Sequence, residues 1–339
     1  MAAAKAKVEI PMKGLEELEK FLKAHTVDDV PASDHKISMI SETMNPGEAF
    51  QVLVDNHVRA APCVRDGVPI GTVDLLDACL YLVDIGVSTS AAPPPVDPES
   101  EVSKIAILLR AHPEWNAPNQ VLDMAKKRNF KLFQAKTPLI DCAHALSHGN
   151  HIVGVATEEE PTKVHRIISQ AQLIKFCASQ FANLKVPVDK LMTSPVLSVK
   201  CTDKVLKAFK IMATKRISAM SVVDDAGEIV HNVSTSDIKS FFTPPFEDAA
   251  TALQEPMEEF LIRLRARGAS AKTRIPVSTC LKGEELSSVV AKLNRAGYHH
   301  AWVVGTDRKP VGVLSLTDVF SHIYGKGQKK SRGGFCEVQ

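Results

Sequence analysis

Aromatic residues are scarce in this 339-residue chain: Phe, Tyr and Trp make up 5% of it. Few ring faces are available for stacking bases. An excess of basic charge is missing too, since 41 Lys and Arg stand against 39 Asp and Glu for a net charge of +2. Both absences argue against nucleic acid as a partner. The seven cysteines are scattered, with no C-x-x-C pair and no His at ligand spacing, so neither a zinc site nor a disulfide framework is indicated. No stretch approaches the roughly 18 uninterrupted apolar residues of a membrane span, and MAAAKAKVEI lacks the apolar centre of a signal peptide. A reducing, cytoplasmic or nuclear setting is the expectation. A Gly-rich P-loop, a metal cluster and a nucleophile paired with a base are also lacking, so the chain is expected not to be an enzyme.

What is present is apolar mass enough for two ordinary domains, 45% of the residues, and a repeated plan. Four times the chain reads strand, helix, strand, strand, helix. The third copy is clearest. Pro195-Val-Leu-Ser-Val199 is a short strand, Thr202-Asp203 a helix cap, and Val205, Leu206, Phe209 and Met212 mark one helical face. Ile217 to Val223, the turn Asp224-Asp-Ala-Gly227 and Glu228 to Val233 then read as a hairpin. Ser234-Thr-Ser-Asp237 opens the closing helix at the strand end.

The fourth copy repeats this with Leu286, Val289, Val290 and Leu293, then Ala301 to Val304, Val311 to Leu314 and Ser315-Leu-Thr-Asp318. The first has Ala49 to Asn56, Val58 to Val64, Ile70 to Val73 and Asp74-Leu-Leu-Asp77. The second is weaker but in register, with Leu139 to Leu146, His151 to Val155, Val164 to Ile168 and Ser169-Gln-Ala-Gln172. The segmentation is therefore a helical extension over 1–35 with Leu15, Leu18 and Leu22 on one face, packed on the outside. Repeats follow at 36–88, 116–182, 183–245 and 246–325. A Pro-rich linker fills 89–115, a second Pro-rich break lies at Thr243-Pro-Pro245, and a basic tail covers 326–339.

A βαββα unit ending in [Ser/Thr/Asp]-x-x-Asp resembles the CBS repeat, which pairs into Bateman modules that bind adenosine-containing ligands. Four in one chain resemble the gamma subunit of AMP-activated protein kinase over roughly residues 36 to 325. Asn56-His-Val-Arg-Ala-Ala-Pro62, Arg216-Ile-Ser-Ala-Met220 and Gly312-Val-Leu-Ser-Leu-Thr-Asp318 are the closest local matches. The implied fold is α/β (α+β), four CBS repeats in two Bateman modules forming a disc-like body. The implied function is that of an energy-sensing regulatory subunit binding AMP, ADP or ATP, with kinase catalytic (alpha-type) and scaffold (beta-type) subunits as partners. The alternatives are an adenosine-ligand sensor for another enzyme or a membrane protein, and a scaffold whose repeats no longer bind nucleotide.

A carboxylate accepts from two neighbouring hydroxyls, which suits a ribose diol and nominates Asp77, Asp237 and Asp318. The second copy has Gln172 instead, a poorer acceptor. Each Asp also reads as a helix-start carboxylate, worth about 0.3–1 kcal/mol against the helix dipole. For phosphate, the resemblance nominates Arg59, His151, His299 and His300, with Ser218 and Thr317 as assisting hydroxyls; Arg59 is the strongest because of its fixed donor fork. His165-Arg166 looks like the family's His-Arg pair but lies in the later strand and is set aside. Ile152, Ala171 and Gln172 stand where the family carries cations, and His299-His300 where it carries His-Arg, so the centre has lost positive charge. Cys336-Glu-Val-Gln339, after Lys326, Lys329, Lys330 and Arg332, fits a prenylation box and would give a peripheral membrane tether; a disordered basic tail is the other reading.

Overall fold

The computed structural model describes residues 12–32, 37–88, 119–243, 249–267 and 277–324. The linker 89–115, Pro244 and Pro245 of the second break, and the tail with Cys336 lie outside the described residues. Helix α1 spans Met12–Ala24. The first repeat comprises β1 (Ile40–Ser41), α2 (Pro46–Asp55), β2 (Ala60–Arg65), β3 (Val68–Asp74) and α3 (Leu75–Ser88). The second follows α4 (Gln120–Lys126) with β4 (Leu132–Gln134), α5 (Leu139–Ser147), β5 (Ile152–Ala156), β6 (Arg166–Ser169), α6 (Gln170–Phe176) and the short α7 (Ala178–Phe181). The third has β7 (Ser198–Lys200), α8 (Val205–Lys215), β8 (Ala219–Val223), β9 (Ile229–Ser234) and a closing 3-10 helix, Thr235–Phe241. After α9 (Ala249–Ala252) and α10 (Met257–Arg267), the fourth has β10 (Thr279–Leu281), α11 (Leu286–Ala296), β11 (His300–Val304), β12 (Pro310–Ser315) and α12 (Leu316–Tyr324).

Each repeat forms one three-stranded sheet in sequence order. Its first strand runs parallel to the second, and the last two are antiparallel. A parallel pair needs a crossover, supplied each time by the amphipathic helix between them. In the first repeat Asn45 and Glu48 form a reciprocal capping box with Pro46 in the first turn, which fixes where α2 starts. The third copy departs from expectation here. Asp203 accepts from the Lys200 backbone N–H at 2.8 Å and from Lys207 at 2.7 Å, closing the turn instead of capping α8, whose N-cap is Lys204.

Two kinds of packing join the repeats. Sheets meet in pairs: Ala60, Phe130, Ile152 and Val164 unite the first two repeats, and Ile229, Trp302 and Val304 the last two. Helices pack across those pairs. One core joins Phe50, Leu53 and Leu82 of the first repeat to Phe209, Met212 and Phe241 of the third, and the other joins Leu146 and Leu173 of the second to Val289, Leu293 and Phe320 of the fourth. The apolar face of the N-terminal helix joins this second core, with Leu18 and Leu22 wholly buried.

Leading segments are exchanged within each pair. Val121 and Met124 of α4 enter the first core, as do Phe260 and Leu261 of α10 on the third repeat's side. At Gly71 in β3 a Cβ would lie 2.1 Å from the Ala125 carbonyl oxygen, so only glycine permits α4 to approach this closely.

Candidate functional site

Repeat symmetry sets four equivalent positions at the mouths of the second strands. The backbone oxygens of Arg59, His151, Ser218 and His299 accept from Leu75, Gln170, Thr235 and Leu316 at 3.0, 3.2, 2.9 and 3.1 Å. In every copy this bond ties the residue before the second strand to the first residue of the closing helix, so these four side chains start from corresponding points. Electrostatic contact draws the first, second and fourth together: Arg59 acts on His151, His299 and His300, and His151 acts on His299. Arg59, His151 and His299, three of the six residues expected for phosphate, thus come together from both sheet pairs and line one cavity.

Their charge states follow from burial. Burial first, then Arg59, holds His151 down at about 4 and His299 at about 3; Arg128 adds to the effect on His151, and Lys239 to that on His299. His300 is depressed for the same leading reasons. All three imidazoles are neutral at neutral pH, each with a lone pair and one N–H. Arg59 itself is lowered by burial, against the opposing pull of Asp74 and Asp237.

A cavity of about 570 Å³ opens between the first two repeats. Its walls are largely apolar, with Ile37, Val58 and Ala60 from the first repeat and Ile152 and Ile167 from the second, and its lining includes Arg59, His151 and His299. This size and this division between apolar wall and clustered polar groups fit a small ligand with a planar apolar part and an anionic part. Ser38 lines the same cavity, and its Oγ is buried without a hydrogen-bond partner. Buried hydroxyls without a partner are uncommon in folded proteins.

His300 Nε2 lies 3.2 Å from Ser218 Oγ. Thr317 Oγ1 accepts from Gln170 Nε2 at 2.9 Å, which also bonds the Leu146 carbonyl at 3.0 Å, and Gln170 in turn hydrogen-bonds His151. Thr317 is thus linked to the centre through Gln170. His165 pairs with Glu160, and Arg166 binds the backbone oxygens of Val27 and Val30, so both touch the cavity with their polar groups already engaged.

The ribose candidates lie elsewhere. In all four copies the terminal residue accepts from the backbone N–H three residues earlier: Asp77 from Asp74, Gln172 from Ser169, Asp237 from Ser234 and Asp318 from Ser315, at 3.0, 2.9, 2.7 and 2.8 Å. The capping role is therefore general. Beyond it, Arg128 bonds Asp77 at 2.5 Å and Asp74 at 3.1 Å, while Arg265 bonds Asp237 at 2.8 Å. Among the described residues, Asp318 receives only the Thr193 and Ser315 hydroxyls as further partners, at 3.1 and 2.5 Å. Among the four, Gln172 lines the cavity. Sequence reasoning missed Lys239, Gln170, Ser38, Arg128 and Arg265. Lys239 had a signal, being the one cation in the closing-helix segment Thr235–Phe241; the others had none.

A model of the CBS domain matches residues 188–243 and 271–325. Protein SDS23 of Kluyveromyces lactis is 25% identical over 322 residues, covering 84% of this chain and 60% of its own length. Protein SDS24 of Saccharomyces cerevisiae is 23% identical over 300 residues, covering 80% and 53%. The chain thus spans little more than half the length of these relatives. Among solved structures, MJ1225 of Methanocaldococcus jannaschii, described as a proposed archaeal homologue of g-AMPK, superposes with a TM-score of 0.66 at 14% identity, covering 88% of this chain and 99% of that one. An uncharacterised conserved protein of Pyrococcus horikoshii gives 0.52 at 13% identity. With four βαββα units joined sheet to sheet in two pairs and the domain model matched over both units of the second pair, the chain is a CBS-domain protein with a Bateman-like fold.

Proposed function

We propose that the chain is a regulatory protein that binds an adenosine phosphate in the cavity between its first two repeats and passes that occupancy to a protein partner. The observation that carries the reading is the cavity itself: an apolar cleft with an unpartnered Ser38 hydroxyl and with Arg59, His151 and His299 converging from three repeats. The apolar walls would hold the base, and Arg59 would take phosphate oxygens through its fork. Neutral imidazoles add donors without competing charge.

The proposed role is non-catalytic. A ligand that touches repeats belonging to both sheet pairs favours whichever arrangement presents these groups best, and it shifts a partner equilibrium by its difference in affinity between the two states. The partner in this reading is an enzyme or other protein client. A kinase complex with catalytic and scaffold subunits is the second reading, favoured by the resemblance of the fold to the archaeal protein.

Calorimetric titration of the full chain with AMP, ADP and ATP tests the reading. Saturable binding is expected, weakened about 10- to 100-fold by Arg59→Gln, the scale of one lost charge-assisted hydrogen-bond pair. Folded protein that binds none of the three would contradict it.

A further inference from the structure

Asp77 and Asp237 occupy matching places in the two sheet pairs, and each is held by an arginine from the segment leading into the other repeat of its pair. Arg128 follows α4, which packs against β3 over Gly71; its carbonyl accepts from Thr72 at 3.0 Å and its guanidinium spans Asp74 and Asp77. Arg265 lies in α10 and reaches Asp237 and the Asn232 carbonyl at 3.1 Å. Among the described residues, Asp318 and Gln172, from the other repeat of each pair, have no arginine partner. The asymmetry recurs in both halves of the molecule.

We infer that the Asp77 and Asp237 carboxylates are internally ligated, so that neither position takes a nucleotide and binding is left to the cavity that Gln172 lines. The inference rests on the adenosine-phosphate reading above and specifies which positions carry it. A ribose offers two neutral hydroxyls; to reach Asp77 it would have to displace a guanidinium that bridges this carboxylate, 1% exposed, to a second one, Asp74. At Asp318 it would displace a neutral hydroxyl. Burial, then the neighbouring Asp74, pushes the Asp77 carboxyl up to about 6, while Arg128 opposes this.

Calorimetry with AMP on the full chain decides the matter. Asp77→Asn and Asp237→Asn keep the helix-start acceptor and are expected to leave stoichiometry and affinity within about twofold of wild type, whereas Arg59→Gln weakens binding as above. The paired change Asp74→Asn/Arg128→Gln preserves the net charge of the cluster and is expected to add one saturable site. Loss of a site in Asp77→Asn or Asp237→Asn, with wild type binding normally, would overturn the internal ligation alone. Absence of binding in wild type and in the Asp74→Asn/Arg128→Gln variant alike would overturn it together with the nucleotide reading.

Discussion

At the scale of single residues, the centre of the molecule is a set of titratable groups held away from their ordinary state. His151 at about 4 and His299 at about 3 owe their depression to burial and then Arg59, and His300 is displaced the same way. Lys239 is lowered to about 8, again by burial and Arg59. An unfolded chain protonates its histidines at about 6.5, so between pH 6.5 and 4 the unfolded state binds more protons and native stability falls as pH falls. Asp77, raised to about 6, acts with the opposite sign below that pH and offsets one of the three. Each such imidazole accounts for up to about 3 kcal/mol across the window. Thermal unfolding is therefore expected to shift downward from pH 7 to 5, and His299→Asn to flatten that dependence. An unchanged slope in the variant would show that the imidazole is not held neutral.

At the scale of elements, the exchange of leading segments depends on close backbone approach. The Cβ of Gly71→Ala would meet the Ala125 carbonyl oxygen at 2.1 Å, which α4 can relieve only by moving off β3. Urea denaturation is expected to register a loss of about 1–3 kcal/mol, the usual cost of overpacking; an unchanged midpoint would mean that α4 docks loosely. The repeating elements themselves were legible, because each helix and strand carries its own period: Val205, Phe209 and Met212 announce α8, and Asp224 to Gly227 the hairpin turn. The antiparallel pairing of the hairpin strands follows from that reading. Which repeat a helix serves does not. The apolar faces of α1 and α10 show that something covers them, but Leu18 and Phe260 say nothing of what, since a stripe of apolar residues fits any apolar partner. Asp203 misled because a cap and a turn use the same carboxylate chemistry.

The same limit explains the site. Arg59, His151 and His299 were nominated by the family resemblance, and the backbone bonds that align them are local. Arg128 and Arg265 stand far along the chain from the carboxylates they bind, and Ser38 owes its significance to a cavity that only the folded pair creates. Three Asp at equivalent positions suggested three equivalent sites; tertiary partners made them unequal.

At the scale of the whole molecule, sheets join the repeats as first with second and third with fourth, while helical cores join first with third and second with fourth. Each repeat is thus tied to two others, and the cavity of the first pair includes His299 of the fourth repeat. A ligand seated there contacts both pairs at once, which gives the proposed regulation a physical route. The central claim is the location of the nucleotide, and photolabelling of the full chain with 8-azido-AMP, followed by peptide mapping, tests it most directly. The account predicts label, competed away by AMP, on peptides carrying Ile37 to Pro62 or Arg166 to Gln172, the segments that line the cavity. Competable label confined to peptides around Asp77 and Arg128 or Asp237 and Arg265 would contradict it.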